Sequence, residues 1–183
     1  MIKRKKEVFS HLDAGGKARM VDVSAKPTSS REARAEATVW VGRVLGRALQ
    51  SRGTTHKGNV LDTARLAGIM AAKRTSELIP LCHPLPIDGV VLELAVKGER
   101  VRIEARVVTR AATGVEMEAL TAASIAALTV YDMCKSFTKG LIIESVRLLE
   151  KRGGRSGHWL ADASARDPSA KGPARRRSAS HGR

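Results

Sequence analysis

A chain of 183 residues that is 43% hydrophobic but only 3% aromatic has the apolar material for one packed core and too few rings for a base-stacking platform. The formal charge of +15 favours anionic ligands without separating a nucleotide from a nucleic acid. No uninterrupted apolar run approaches the ~20 residues that span a bilayer.

In chain order, residues 1–17 form a mobile basic arm, with Lys3, Arg4, Lys5 and Lys6 in a row. The opening "MIKRKKEVFSHLDAGG" has no apolar segment of the secretory kind, and two cysteines, Cys82 and Cys134, fit a reduced, cytoplasmic protein. Next, "SSREARAEATVWVGRVLGRALQSRG" sets Ser29 three residues before Glu32 and repeats Ala, Val and Leu at helical intervals. This predicts an amphipathic helix that ends at Gly53. "NVLDTARLAGIMAAKRT" predicts a second helix capped by Asn59. It stops before "LIPLCHPLPI", where Pro80, Pro84 and Pro86 impose a stiff, extended backbone.

"GVVLELAVKGERVRIEARVVT" alternates in two halves around "KGER" and predicts a β-hairpin. "MEALTAASIAALTVYDMCKSF" predicts a third helix, rich in small residues, and "GLIIESVRLLE" a closing strand or two short ones. Residues 161–183, Ala, Ser, Arg and Pro with little to bury, form a disordered tail. The folded domain is expected over residues 18–160, as an α+β sandwich whose antiparallel sheet carries its helices on one face.

Three places can carry chemistry. Neither cysteine has the spacing of a metal site, and a small buried hydrophobe explains Cys82 well. His83, between Cys82 and Pro84, is placed for presentation at a rim; a satisfied structural histidine is its competitor. In the third helix, Glu118 and Asp132 are 14 residues apart, nearly four turns at ~3.6 residues each, so they share a broad face that Lys135 joins. An acid and a lysine at the end of an apolar helix can tune each other and exchange protons. Against this stand a capping box between Thr113 and Glu116 and a solvated Asp132–Lys135 pair. Lys57 before a helix start, Lys73 and Arg74 at a helix end, and the flexible cationic loop "KRGGRSG" (Lys151 to Gly157) suit phosphate. A helix-dipole partner is the plainer account of Lys73 and Arg74.

Five segments, "MVDVSAK", "REARAEA", "HKGNVLDTARLAGIMAAKRTSELIPLCHPL", "TGVEMEALTAASIAALTVYDMCK" and "VRLLEKRGGRSG", closely resemble the cyclic pyranopterin monophosphate synthase family of molybdenum-cofactor biosynthesis. The resemblance implies a ferredoxin-like α+β lyase that assembles as a trimer of dimers, with active sites at subunit interfaces. Its substrate would be (8S)-3′,8-cyclo-7,8-dihydroguanosine 5′-triphosphate and its products cyclic pyranopterin monophosphate and diphosphate. By the same resemblance Asp132 is the catalytic aspartate and Lys57 and Lys135 are essential lysines. His83 and Glu116 join them, and Leu81, Cys82, His83, Met117, Glu118, Lys73 and Lys151 contact substrate. No resident metal is implied, although magnesium could arrive with the triphosphate. The alternative is a basic nucleic-acid-binding protein, which leaves the acidic cluster unexplained.

Overall fold

The structure is a computed structural model and describes residues 15–155 and 157–162. The basic arm, up to residue 14, and the tail beyond residue 162 lie outside the described residues.

The first element corrects the sequence expectation. Ser29–Trp40 is a strand, β1, and the helix α1 spans only Gly42–Arg52, ending where expected at Gly53. The reason is a period of two: Ala33, Ala35, Ala37 and Val39 are buried, while Glu32, Arg34 and Glu36 point the other way. Alanine's helix preference hid that alternation, and pairing on both sides of β1 overrides it.

The two-residue strands β2 (Thr54–Thr55) and β3 (Gly58–Asn59) pair as a small ribbon. They lead into α2, Val60–Lys73, whose N-terminus is capped as predicted by the Asn59 side chain accepting from the Asp62 N–H. One turn of helix, α3 (Thr75–Leu78), precedes the proline segment. The hairpin follows as β4 (Gly89–Lys97) and β5 (Arg100–Ala111), then α4 (Glu116–Cys134), β6 (Ile142–Arg152) and β7 (His158–Leu160).

Four long strands and the short β7 make one antiparallel sheet in the order β4-β5-β1-β6-β7. Helix α4 lies across β1, β5 and β6, and α2 packs on α4 and β4. This is the expected α+β sandwich, consistent with a ferredoxin-like fold. The core is aliphatic and small: Ala119, Ala122, Ala123, Ala126, Ala127 and Val130 of α4 are fully buried against the sheet and α2. The helices meet at Gly68, where an added Cβ would stand 2.9 Å from the Ala122 carbonyl oxygen and 2.3 Å from Leu92.

Among the described residues the opposite face of the sheet carries no helix, and it is an ion-pair lattice. Glu36 receives Arg102 at 2.7 Å and Arg147 Nε at 2.6 Å, Arg34 joins Glu104 and Glu150, and Arg106 meets Glu32 at 2.6 Å. Among the described residues no helix is long and apolar enough to cross a membrane.

Candidate active site

Helices α2 and α4 run in opposite directions: Lys57, just before α2, meets Asp132 near the end of α4, and Gly68 meets Ala122 and Ala126 eleven residues on. Each end of this helix pair therefore gathers different side chains.

At the C-terminal end of α4, Asp132 lies between two lysines. Its carboxylate is 2.7 Å from Lys135 Nζ and 3.1 Å from Lys57 Nζ, and Lys57 also donates to the Asp132 carbonyl at 2.9 Å. The Lys135 hydrogen bond, then that of Lys57, holds the Asp132 carboxyl below its ordinary range, and Asp132 in turn raises Lys135. The solvated i,i+3 pair is present, but Lys57 makes it a three-member cluster that is open to solvent. Beneath it Cys134 is buried, and desolvation pushes its thiol up to about 11, so it stays a neutral packing group.

The N-terminal end of α4 borders a cavity of about 330 Å³. Leu81, Cys82 and His83 of the proline segment form one wall, and Glu116, Met117 and Glu118 another. Glu118 is 4% exposed, and burial raises its carboxyl above the usual value, with the Glu116 charge adding to the effect. Burial, then the charge of Glu118, raises the Cys82 thiol, which is no activated nucleophile. The His83 ring is tethered: its Nε2 lies 2.7 Å from the Val21 carbonyl. A carbonyl only accepts, so Nε2 is the nitrogen that donates, which leaves Nδ1 as the ring's other hydrogen-bonding position. His83 thus has a structural tie and still lines the cavity.

The capping box does not form. Val115 is the N-cap of α4 without a side-chain bond, and the Glu116 carboxylate instead pairs with Lys151 Nζ at 3.1 Å. Glycine at position 114 makes room for it, because an added Cβ would stand 1.8 Å from Glu116 Oε2. Lys151 is also not in a flexible loop: it sits in β6, and Gly153, Gly154, Arg155 and Gly157 belong to the turn of the β6–β7 hairpin. Lys73 ends α2 at this same end of the helix pair but does not line the cavity.

A second cavity of about 450 Å³ adjoins the first and shares Lys26, Thr113, Gly114 and Glu116 with it. It adds Arg31 and Arg155. Sequence reasoning gives Arg155 a phosphate role as part of the cationic loop but none to Lys26 or Arg31: Lys26 carries no local pattern, and the sequence pattern puts Arg31 in a helix. Arg31 bridges to the entrance of α4, its guanidinium donating to the Ala111 and Ala112 carbonyls at 2.9 Å each.

The sequence-predicted residues thus fall into two groups. Glu118 and Asp132 are 14 residues apart on one helix, about 21 Å at ~1.5 Å per residue, and so sit near its opposite ends. Among the described residues no group of three or more His, Cys, Asp or Glu is arranged to hold a metal ion. A family model described as the MoaC family matches residues 20–154, a span that begins just before Val21 and includes both groups. The chain belongs to the MoaC family, enzymes of molybdenum-cofactor biosynthesis.

Proposed function

We propose that the protein is a cyclic pyranopterin monophosphate synthase, a lyase converting (8S)-3′,8-cyclo-7,8-dihydroguanosine 5′-triphosphate to cyclic pyranopterin monophosphate and diphosphate. The observation that carries this reading is the pairing, at opposite ends of α4, of an acid–lysine cluster with two adjoining cavities that set Glu116 and Glu118 beside Lys26, Arg31 and Arg155. Making a cyclic monophosphate from a triphosphate requires a hydroxyl of the substrate to attack the α-phosphorus while the bond to the β-phosphate oxygen breaks. The hydroxyl proton needs a base and the departing diphosphate needs positive charge. Asp132, held anionic by Lys135 and Lys57, suits the first task. Lys57, Lys73, Lys151, Arg155 and, from the cavity lining, Lys26 suit the second, and Mg²⁺ would enter with the triphosphate rather than reside in the chain. Glu118, buried and raised, suits the N–H edge of the guanine-derived ring, with His83 Nδ1 as a further proton acceptor.

A complete site then needs two copies. The outward surface of the helix pair exposes Leu66, Met70 and Leu128 between the two groups. A two-fold axis near Ser124 and Ile125, midway between Glu118 and Asp132, would lay each Asp132 cluster beside the cavity of the partner subunit. Such a dimer would be the unit of the hexamer that the family resemblance implies.

The test is to incubate the purified protein with the cyclic triphosphate and follow both products, with Asp132→Asn and His83→Ala separately and mixed under conditions of subunit exchange. Both variants should be inactive alone. Mixing should restore about a quarter of wild-type turnover, because half the dimers would carry one intact site of two. Absence of product from the folded wild type refutes the reaction; inactive mixtures refute the shared site.

A further inference from the structure

The ion-pair lattice on the far face of the sheet is bound up with the site through one strand irregularity. In the β1–β6 register, Arg34 faces Glu150 and Ala35 faces Leu148, so Leu149 is an extra residue, a β-bulge. A one-residue shift exchanges the two faces of everything beyond it. Leu148 lies opposite the buried Ala35; without the bulge Glu150 would also face the core, and Lys151 would point away from the helices. With it, Lys151 lies opposite buried Ala33 on the site side and reaches Glu116, while Glu150 enters the lattice.

Glu150 is 2% exposed although it lies on the open face, because donor side chains from three strands cover it. Arg152 Nε approaches at 2.5 Å, His158 Nε2 of β7 at 2.7 Å and Arg34 of β1 at 3.1 Å. Arg34 also holds Glu104 of β5. The bulged residue is tied as well, its carbonyl accepting from the Ala161 N–H at 2.8 Å. Beyond Arg152 the turn is pressed on β1: Gly153, at φ 94°, leaves no room for a Cβ, which would lie 2.1 Å from the Ser30 carbonyl. Gly154 lies against the Arg31 guanidinium in the same way.

We propose that Glu150 is a positioning residue: from the face opposite the site it locks the Leu149 bulge and the β6–β7 hairpin. Lys151 and the Gly153–Gly154 turn are thereby held at the phosphate-bearing end of the substrate. The inference rests on Lys151 serving the proposed reaction. Glu150 itself touches no substrate and acts through Lys151.

The experiment is a double-mutant cycle of Glu150→Gln and Lys151→Ala, read as kcat and KM, with amide hydrogen exchange on the same proteins. Glu150→Gln should lower kcat/KM about 10-fold, chiefly through KM, since misplacing a binding group by a fraction of an ångström costs on this scale. The double variant should be no worse than Lys151→Ala alone. Wild-type kinetics for Glu150→Gln, or losses that multiply in the double variant, would overturn the proposal. If Glu150→Gln does not fold, Arg152→Gln and His158→Gln, each removing one donor, take its place in the same cycle. Exchange separates this inference from the reaction itself: the Gly153 amide, bonded to the Gly157 carbonyl at 2.9 Å, should exchange faster in Glu150→Gln. Unchanged exchange there overturns the clamp whether or not the wild type turns over the triphosphate.

Discussion

Lys57 and Asp132, 75 residues apart, meet through two contacts at once: the ammonium donates to the Asp132 carboxylate and to its backbone carbonyl in the last turn of α4. The second contact places a cation at a helix C-terminus, where it satisfies a carbonyl without a helical partner. One lysine therefore orients the carboxylate and closes the helix that carries it.

The two roles separate by magnitude. An exposed ion pair and a helix-end contact each contribute little to stability, so losing them moves the melting temperature of a domain this size by only a few degrees. Removing a general base or its partner costs about 100-fold or more in rate. Lys57→Ala and Asp132→Asn should therefore abolish most turnover while melting within a few degrees of wild type. Differential scanning calorimetry beside product assays checks this, and a collapse of stability in either variant would assign the pair to folding instead.

His83 calls for a finer test because its ring has both a tether and a free nitrogen. Glutamine places an amide N–H near the Nε2 position and keeps a donor for the Val21 carbonyl, whereas alanine removes everything. If the Nδ1 side serves the reaction, His83→Gln should lose turnover nearly as far as His83→Ala. Recovery of activity in His83→Gln would reduce the residue to an anchor for the segment around Val21.

How much of this was legible in the sequence follows from the range of the interactions involved. The Asn59 cap, the hairpin around Gly98 and the long apolar α4 depend on neighbours within a few residues, and each was found where the pattern put it. β1 was missed because alanine on its inner face favours helix in isolation, and only pairing with β5 and β6 makes the period of two decisive. The Asp132–Lys135 pair was visible as an i,i+3 spacing, and the chemistry-bearing types in "LCHP" stood out. Lys57 joining Asp132, Lys151 joining Glu116, and the split of the site into two ends arise from the antiparallel run of α2 and α4 and from a bulge, neither of which has a local signature.

Gly114 offers a way to disturb the Glu116–Lys151 pair without touching either residue. A methyl group there would overlap the Glu116 carboxylate, which is the end of a flexible chain and can swing aside at little energetic cost. Gly114→Ala should therefore keep its melting temperature within a few degrees and lose about 10-fold or more in kcat/KM, as a displaced catalytic group does. Wild-type kinetics would show that Glu116 need not stay on Lys151.

The Glu150 cluster also predicts an acid response. The Arg152 hydrogen bond, with those of His158 and Arg34, lowers the Glu150 carboxyl from 4.5 to about 2. A carboxyl whose pKa is lower in the folded protein than in the unfolded chain contributes stability that is complete above the unfolded value and disappears as pH falls through the folded one. The contribution of Glu150 should therefore be whole at neutral pH, decline below about pH 4.5 and vanish near pH 2. Asp132, Glu32 and Glu36 are shifted in the same direction and add to the wild-type slope. Glu150→Gln removes one component of that slope, so urea melts of the two proteins should differ most near pH 7 and converge as the pH approaches 2. A stability gap that stays constant across this range would mean that the arginines hold Glu150 by shape rather than by charge, and that glutamine loses only packing.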